Sequence, residues 1–257
     1  MVYSILLRTL IISVMLLFIM PAQAQVPASG ADTLNSAMQG FIIRLEAAKQ
    51  QKILPRLSNS QDAKALEALW DVPAVIGSGP YRATDLPVLM DIIQQQAQVT
   101  KTYVLFSPDA DKEPDAARNS AAFQDEISRS SVAMLGFIAA ALEAADDFAV
   151  TLKKDDDYKG RLAGLLQLRL GIQQVINSTA LMLHSADLKA INQERLTLAL
   201  ADHAPAIAKS VSLQDRKTLL TIIETVKPNL SNTASLSAER FMDAMKSTDC
   251  TGLCALH

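Results

Sequence analysis

Apolar residues recur at intervals of three and four along most of the chain, from about residue 31 to residue 246. Such spacing gathers them on one stripe of an α-helix. We find no stretch with the sustained alternation of apolar and polar positions that is typical of a β-strand. Glycine and aromatic residues are few, at 9 glycines and 5% aromatics. The pattern predicts an all-α protein.

The two longest patterns predict helices over 115–153 and 158–183. The first carries a stripe of apolar and small residues, namely Ile127, Ser131, Met134, Ile138, Ala141, Ala145, Phe148 and Leu152. The second has an apolar face so broad that it indicates a helix covered on more than one side. Because only a few residues join them, we expect an antiparallel hairpin. The predicted fold is a helical bundle built around this long central antiparallel helical hairpin, with shorter flanking helices.

Shorter helices are predicted around this hairpin. Four of them span 31–51, 84–106, 188–200 and 237–246, and the third is interrupted near Pro205. A fifth helix begins after Ser212 and ends at Pro228. Ser212 with Asp215 is a typical helix N-cap with an acidic third position. No irregular stretch between these helices is long enough to force a boundary. We therefore expect one helical domain over 25–246, followed by a tail over 247–257.

The first 24 residues have the pattern of a cleavable signal peptide. Arg8 precedes an apolar run over 10–20, and the sequence AQA at 22–24 places small residues at the positions that signal peptidase recognises. The run is shorter than the roughly 20 residues of a membrane-spanning helix. Later stretches carry too many charges to span a bilayer. We therefore expect cleavage of 1–24, a mature N-terminus at Gln25, no transmembrane span in the mature chain, and a periplasmic location in a Gram-negative bacterium.

The charge of the chain argues against one class of partner. Its formal net charge is −3, and no segment concentrates basic residues. A nucleic-acid-binding face needs a basic patch or stripe. The sequence therefore predicts no nucleic-acid partner.

Both cysteines, Cys250 and Cys254, lie in the tail. An exported chain meets an oxidising compartment, where two cysteines pair readily. Gly252 between them allows the backbone to leave helical geometry and bring the sulfur atoms together. We predict a local disulfide, with redox or intermolecular thiol chemistry as an alternative.

The same tail supports a second alternative, a metal site. Cys250, Cys254 and His257 offer two thiolates and an imidazole, a ligand set that suits copper(I) or zinc. A fourth ligand is not visible in the sequence. The alternative predicts a periplasmic protein that handles copper or zinc through its tail, whereas the disulfide prediction needs no cofactor.

The aromatic residues near Gly77 and Gly79 offer a candidate binding groove. Trp70 ends a short predicted helix, and Tyr81 follows shortly after it. Aromatic side chains with one polar edge are common at recognition surfaces. One interpretation is that Trp70 and Tyr81 form the floor of a groove that binds a partner. The other is that Trp70 is a core residue that fixes a loop.

Motifs of known catalytic sites are missing, including the nucleophile elbow, the zinc-protease motif and the phosphate-binding loop. His184 and His203 each read as a histidine near a helix end. An unrecognised active site would need a polar pocket that holds one of them beside a carboxylate. The sequence favours a non-enzymatic binding or accessory module that engages a protein or another component of the cell envelope.

Overall fold

The computed structural model describes Val26, residues 28–109 and residues 111–256. Its described residues form ten α-helices and three short 3-10 helices, with no strand, which confirms the all-α helical bundle. The α-helices are α1 Ala28–Gln50, α2 Ser60–Leu69, α3 Val72–Ile76, α4 Leu86–Val104, α5 Ala116–Ala122, α6 Gln124–Thr151, α7 Tyr158–Met182, α8 Ala190–Ser210, α9 Leu213–Val226 and α10 Asn232–Met245. The predicted signal peptide, 1–24, lies outside the described residues.

Helix α6 is the centre of the bundle. Helices α4 and α8 pack along it, and α10 packs in turn on α8. Many of its buried positions carry small side chains, namely Ala133, Gly136, Ala140, Ala141, Ala144 and Ala145. Small residues allow the axes of neighbouring helices to approach closely. The stripe of small residues in the sequence therefore corresponds to the contact surface of the central helix.

The predicted central hairpin is not confirmed. Helix α6 packs more extensively on α4 and α8 than on α7, its neighbour in sequence. Helix α7 buries one stripe, formed by Leu165, Leu168, Ile172, Ile176 and Ala180, while Leu170 remains exposed. One buried stripe is typical of a helix at the surface of a bundle. The broad apolar face of α7 therefore led to a wrong prediction of its central position.

The predicted helix over 115–153 is interrupted at Phe123, which separates α5 from α6. The Phe123 ring lies 5.5 Å from the Tyr103 ring, and the Arg56 guanidinium lies 4.7 Å from its centroid. Just before it, Asn119 Nδ2 donates to the carbonyl oxygens of Val104 and Phe106, at 3.0 and 2.7 Å. These contacts attach α5 to the end of α4, so the helix is broken at Phe123 although its apolar spacing continues.

Two predictions about the C-terminal helices have different outcomes. The interruption near Pro205 is wrong, because α8 continues from Ala190 to Ser210. Pro205 is exposed, and Ala204 and Ile207 beside it are buried and keep the helix on the core. The cap at Ser212 is confirmed, since its Oγ accepts a hydrogen bond from the Asp215 backbone N–H at 3.2 Å and α9 begins at the next residue.

The start of the described chain is attached to the segment that leads into α4. The backbone N–H of Val26 donates to Asp85 Oδ1 at 2.9 Å, and Asp85 Oδ2 accepts from the Arg82 backbone N–H at 2.8 Å. Asp85 is fully buried. Helix α1 then packs on α2 and α3. Across the part of the chain that the structure describes, no helix combines the length and the apolar character needed to cross a bilayer.

Candidate functional site

An open cleft of about 650 Å³ lies where the corner between α2 and α3 meets α6 and α8. We call it the Trp70 cleft. The corner contributes Glu67, Ala68, Trp70, Asp71, Val72 and Pro73, α6 contributes Arg129, Val132, Ala133 and Gly136, and α8 contributes His203. The residues of α6 recur at helical spacing, so they form one face of that helix. The cleft thus combines an apolar floor with a polar rim.

Local sequence signals produce the corner that closes one side of the cleft. Trp70 ends α2, and its backbone N–H donates to the Glu67 carbonyl oxygen at 3.1 Å. Asp71 caps α3 by accepting from the Ala74 backbone N–H at 3.1 Å, and Pro73 occupies the first turn, where its missing N–H costs nothing. Two short helices therefore meet at a corner over α6.

Gly136 allows this corner to lie close to α6. A Cβ atom at Gly136 would come within 3.1 Å of Val72 Cγ2 and 3.2 Å of Val72 Cγ1. Those distances are shorter than ordinary carbon contacts. The absence of a side chain at this position thus sets how deeply α3 can sit beside the cleft floor.

An ion pair crosses the rim of the cleft. Arg129 Nη2 lies 2.7 Å from Glu67 Oε2, and Arg129 Nε lies 3.3 Å from Glu67 Oε1, so the pair is bidentate. It joins α6 to α2. Both side chains remain partly exposed, which limits the contribution of the pair to stability to about 1 kcal/mol or less. The guanidinium edge and the carboxylate also present fixed charges beside the floor.

His203 faces the cleft from α8. Its side chain is partly buried, and this burial lowers the pKa of the imidazole below its ordinary value of 6.5, against the opposing effect of Asp202. Burial disfavours the charged form of histidine because charge is poorly solvated away from water. His203 therefore lines the cleft as a neutral imidazole at pH 7.

Trp70 lies almost completely buried at the base of the cleft, at 2% exposure. Its indole Nε1 is covered by the protein and has no hydrogen-bond acceptor among the described residues. Buried indole N–H groups usually find a partner. Packing alone therefore holds the ring in place.

Tyr81 does not share this cleft with Trp70. Its hydroxyl donates to the Gly77 carbonyl oxygen at 3.0 Å and closes the loop over 77–81. Burial, together with the nearby carboxylates of Glu143 and Asp85, raises the pKa of the Tyr81 hydroxyl. The structure thus places Trp70 beneath the cleft and Tyr81 in a neighbouring loop.

The two histidines named as candidates for catalysis also lie apart. His184 is exposed, with its Nε2 3.1 Å from the Ile222 carbonyl oxygen. His203 shares the cleft with Glu67 and Asp71. Glu67 pairs with Arg129, and Asp71 caps α3. The described residues that line the cleft include no serine, threonine or cysteine nucleophile.

The C-terminal segment 247–256, which we call the latch, packs against the bundle. The sulfur atoms of Cys250 and Cys254 lie 2.02 Å apart, at the distance of a disulfide bond. Leu253 and Cys254 are fully buried, and residues Gly252–Ala255 form a short 3-10 helix. The latch is therefore part of the packed structure, although its sequence reads as a loose tail.

Two arginines hold the latch through its carbonyl oxygens. Arg216 donates from Nη1 to the Ser247 carbonyl at 2.5 Å and from Nη2 to the Asp249 carbonyl at 2.6 Å. Arg169 Nη1 lies within 2.8 to 3.1 Å of three carbonyl oxygens, those of Leu253, Cys254 and Leu256. Arg216 is only 1% exposed. A buried charge needs such hydrogen bonds to offset its lost hydration.

Asp146 of α6 receives the latch through a different contact. Its Oδ1 accepts from the Leu253 backbone N–H at 3.0 Å, and its Oδ2 lies 2.6 Å from Lys209 Nζ. Gly252 has φ +54° just before this contact, and a Cβ there would lie 2.0 Å from Asp146 Oδ1. Only glycine fits both the left-handed backbone and the close approach of the carboxylate.

The predicted metal ligands are only partly placed. His257 lies outside the described residues. Within the residues that the structure does describe, no group of three or more His, Cys, Asp or Glu side chains could hold a metal ion. Thiolates, rather than disulfide sulfurs, are the metal-binding form of cysteine. In the disulfide form, Cys250 and Cys254 therefore do not offer the copper or zinc ligands that the alternative requires.

The arginines that hold the latch were not singled out from the sequence, yet a signal was present. Arg216 lies three residues before Leu219 and seven before Ile223, on the buried stripe of α9. Arg169 lies beside Leu168 and three residues before Ile172, next to the buried stripe of α7. A charged residue at an apolar position of a helix indicates a buried polar contact.

We compared the chain with protein-family models, curated proteins and solved structures, and none of them gives a significant match.

Gly252→Ala is expected to lower the free energy of unfolding by about 1–3 kcal/mol, because alanine is strained at positive φ and its Cβ collides with Asp146. Gly171→Ala is the matched control. Gly171 lies inside α7 with open space where a Cβ would point, so the control should raise stability by about 0.5–1 kcal/mol. Urea denaturation measures both. Equal effects of the two substitutions would contradict this explanation of how the latch is held.

The stability of the protein should fall as the pH drops below about 6.5, and His203→Gln should reduce that fall. The pKa of His203 is lowered in the folded state, so the unfolded chain binds the proton more readily and acid favours unfolding. Above the pKa that His203 has in the unfolded chain, its imidazole is neutral in both the folded and the unfolded protein. His203 then makes no pH-dependent contribution to the free energy of unfolding. Urea denaturation across the range from mildly acidic to mildly alkaline pH tests this. Parallel curves for the wild type and His203→Gln would show that His203 is not the group responsible.

Proposed function

We propose that this chain is an exported, non-enzymatic helical binding module of the bacterial cell envelope, and that the Trp70 cleft holds a segment of a partner polypeptide. The observation that carries the proposal is the composition of the cleft, which has an aromatic base, an aliphatic floor and a charged rim. Binding sites typically combine a largely apolar surface with a few polar groups that orient the ligand.

The dimensions and chemistry of the cleft favour a polypeptide segment. A volume of about 650 Å³ accommodates a few side chains. Val132 and Val72, which are both partly exposed, offer an apolar surface for one of them. Arg129 and Glu67 at the rim can exchange hydrogen bonds with the amide groups of a peptide backbone, which carry both donors and acceptors. A small displacement of Trp70 would also offer its indole N–H to a ligand carbonyl.

The arrangement of the polar groups supports binding over catalysis. A general base must lie within hydrogen-bonding reach of the group that it deprotonates, and a second group must orient it. The carboxylates that share the cleft with His203 are engaged by Arg129 and by the N-terminus of α3. His203 is thus better suited to a neutral hydrogen bond with a ligand than to a catalytic dyad.

Export is the second element of the proposal. It rests on the sequence of residues 1–24, and it predicts that protein isolated from the periplasm begins at Gln25. Intact mass spectrometry of the native chain checks this, and the same spectrum reports the loss of two hydrogens for the Cys250–Cys254 disulfide. A chain recovered with residues 1–24 still attached, in the cytoplasm, would contradict export.

The cleft is tested by site-specific photo-crosslinking in living cells. A photoreactive residue at Ala68, which is exposed at the cleft, should give adducts with a partner polypeptide. The same residue at Lys159, which is exposed on α7, is the matched control and should give none. A Val132→Arg substitution should abolish the Ala68 adducts by filling the cleft floor. Equal adducts from both positions, or none from Ala68, would contradict the proposal.

Binding of an identified partner peptide can then be followed directly. Trp70 is the single tryptophan of the chain, so intrinsic tryptophan fluorescence reports on the base of the cleft alone. We expect its emission to change on binding in the wild type and to stay constant in Val132→Arg.

A further inference from the structure

The two sulfur-bearing residues of the latch differ in their accessibility. Cys250 is partly exposed, and its neighbours Asp249 and Thr251 are exposed. Cys254 is fully buried. Thiol–disulfide exchange starts when a thiolate reaches one sulfur of the disulfide and displaces the other. Burial of Cys254 closes its sulfur to an incoming thiolate, and Cys250 is the cysteine that solvent reaches.

The buried sulfur has the surroundings of a good leaving group. Arg216 Nη2 lies 3.4 Å from Cys254 Sγ. The guanidinium is permanently charged, and its other hydrogen bonds go to the carbonyl oxygens of Val211, Ser247 and Asp249. Carbonyl oxygens carry no net charge, so these hydrogen bonds solvate the cation without neutralising it. The nearby carboxylate of Asp249 offsets part of the positive charge and opposes the burial that lowers the pKa of Arg216. A cation beside a sulfur stabilises the thiolate, and a stabilised thiolate leaves faster.

The position of the disulfide in the chain argues against a purely structural role. It joins residues only four apart. A disulfide that closes so short a loop removes little freedom from the unfolded chain. The latch is also held without it, by Asp146 at Leu253 and by Arg169 at three carbonyl oxygens.

We propose that the Cys250–Cys254 disulfide is a site of thiol exchange, at which a thiolate reductant attacks Cys250 Sγ and displaces Cys254 as a thiolate beside Arg216. The first step forms a mixed disulfide between the reductant and Cys250 and breaks the Cys250–Cys254 bond. A second thiolate of the reductant then attacks the mixed disulfide and releases Cys250. The protein disulfide gains two electrons, and two reductant thiols become one disulfide.

The attacked sulfur is identified on the wild-type protein. Oxidised protein is treated with millimolar glutathione, stopped with acid, unfolded, alkylated with N-ethylmaleimide and digested with trypsin. No Lys or Arg follows Lys246, so both cysteines fall in one peptide, 247–257. We expect glutathione on Cys250 and the alkyl group on Cys254, in about tenfold or greater excess over the reverse. Adducts shared equally, adducts mainly on Cys254, or no reaction at all would overturn the proposal.

The role of Arg216 is tested by comparing two variants. Arg216→Gln and Arg169→Gln each remove hydrogen bonds to the latch, but of these two arginines Arg216 is the one that contacts sulfur. Reduction by dithiothreitol should be about tenfold slower in Arg216→Gln than in Arg169→Gln. Equal rates would overturn the assignment of Arg216 to the leaving group. Circular dichroism checks that both variants fold. If Arg216→Gln does not fold, the adduct mapping on the wild-type protein still decides the site of attack.

Discussion

The structure depends on the burial of α6 along most of its length, which forces several of its charged side chains to find partners inside the protein. Its buried carboxylates Glu126 and Asp146 lie near opposite ends of the helix. Glu126 Oε1 accepts from the Leu57 backbone N–H at 2.8 Å, and Asp146 Oδ1 accepts from that of Leu253 at 3.0 Å. Each carboxylate thus attaches a segment that is distant in sequence to the central helix.

Each of these carboxylates also has a cationic partner. Arg56 Nε lies 3.3 Å from Glu126 Oε1, and Lys209 Nζ lies 2.6 Å from Asp146 Oδ2. A buried carboxylate left without such contacts would be costly, because its hydration is lost. Both ends of the central helix therefore bring together a carboxylate, a cation and a backbone N–H from elsewhere in the chain.

The latch is held in a similar way, but here the charges are cations and their partners are backbone carbonyl oxygens. Arg216 lies on the buried stripe of α9 and Arg169 lies beside that of α7, and the carbonyl oxygens of residues 247–256 take the place of water around both guanidiniums. The segment that reads as a free end in the sequence thus solvates two cations. The buried side chains of Leu253 and Cys254 add apolar contacts to these hydrogen bonds. This packing also places a guanidinium against the sulfur of Cys254.

Periodicity in the sequence was sufficient for the features that are determined locally. The extents of α7 and α4 were predicted to within about two residues, because their buried stripes repeat at the helical period. The break at Phe123 was missed because the rings that it contacts, Tyr103 and Phe106, lie elsewhere in the chain. The central hairpin was not confirmed for a related reason. Chain proximity favours a hairpin, whereas the small residues of α6 accommodate α4 and α8 more closely.

The candidate site shows the same division between local and tertiary information. Trp70 was singled out in the sequence because it ends a helix beside a loop, and it does line the cleft. His203 reads only as a histidine near Pro205, since nothing local shows that α8 meets the corner of α2 and α3. Tyr81 is close to Trp70 in sequence but hydrogen-bonds back to Gly77. Proximity in sequence therefore identified one side of the cleft, and helix packing supplied the other.

The Trp70 cleft and the latch both use α6, yet the geometry keeps them separate. Gly136 in the cleft floor and Asp146 beneath the latch are about 15 Å apart along the helix, at the usual rise per residue. Most residues between them, including Ala140, Ala141 and Ala144, are buried, so this part of α6 has little freedom to move. Asp146 contacts the backbone N–H of Leu253 and the Nζ of Lys209, so neither contact involves a cysteine side chain. A partner in the cleft and a thiol at Cys250 should therefore act on the protein independently.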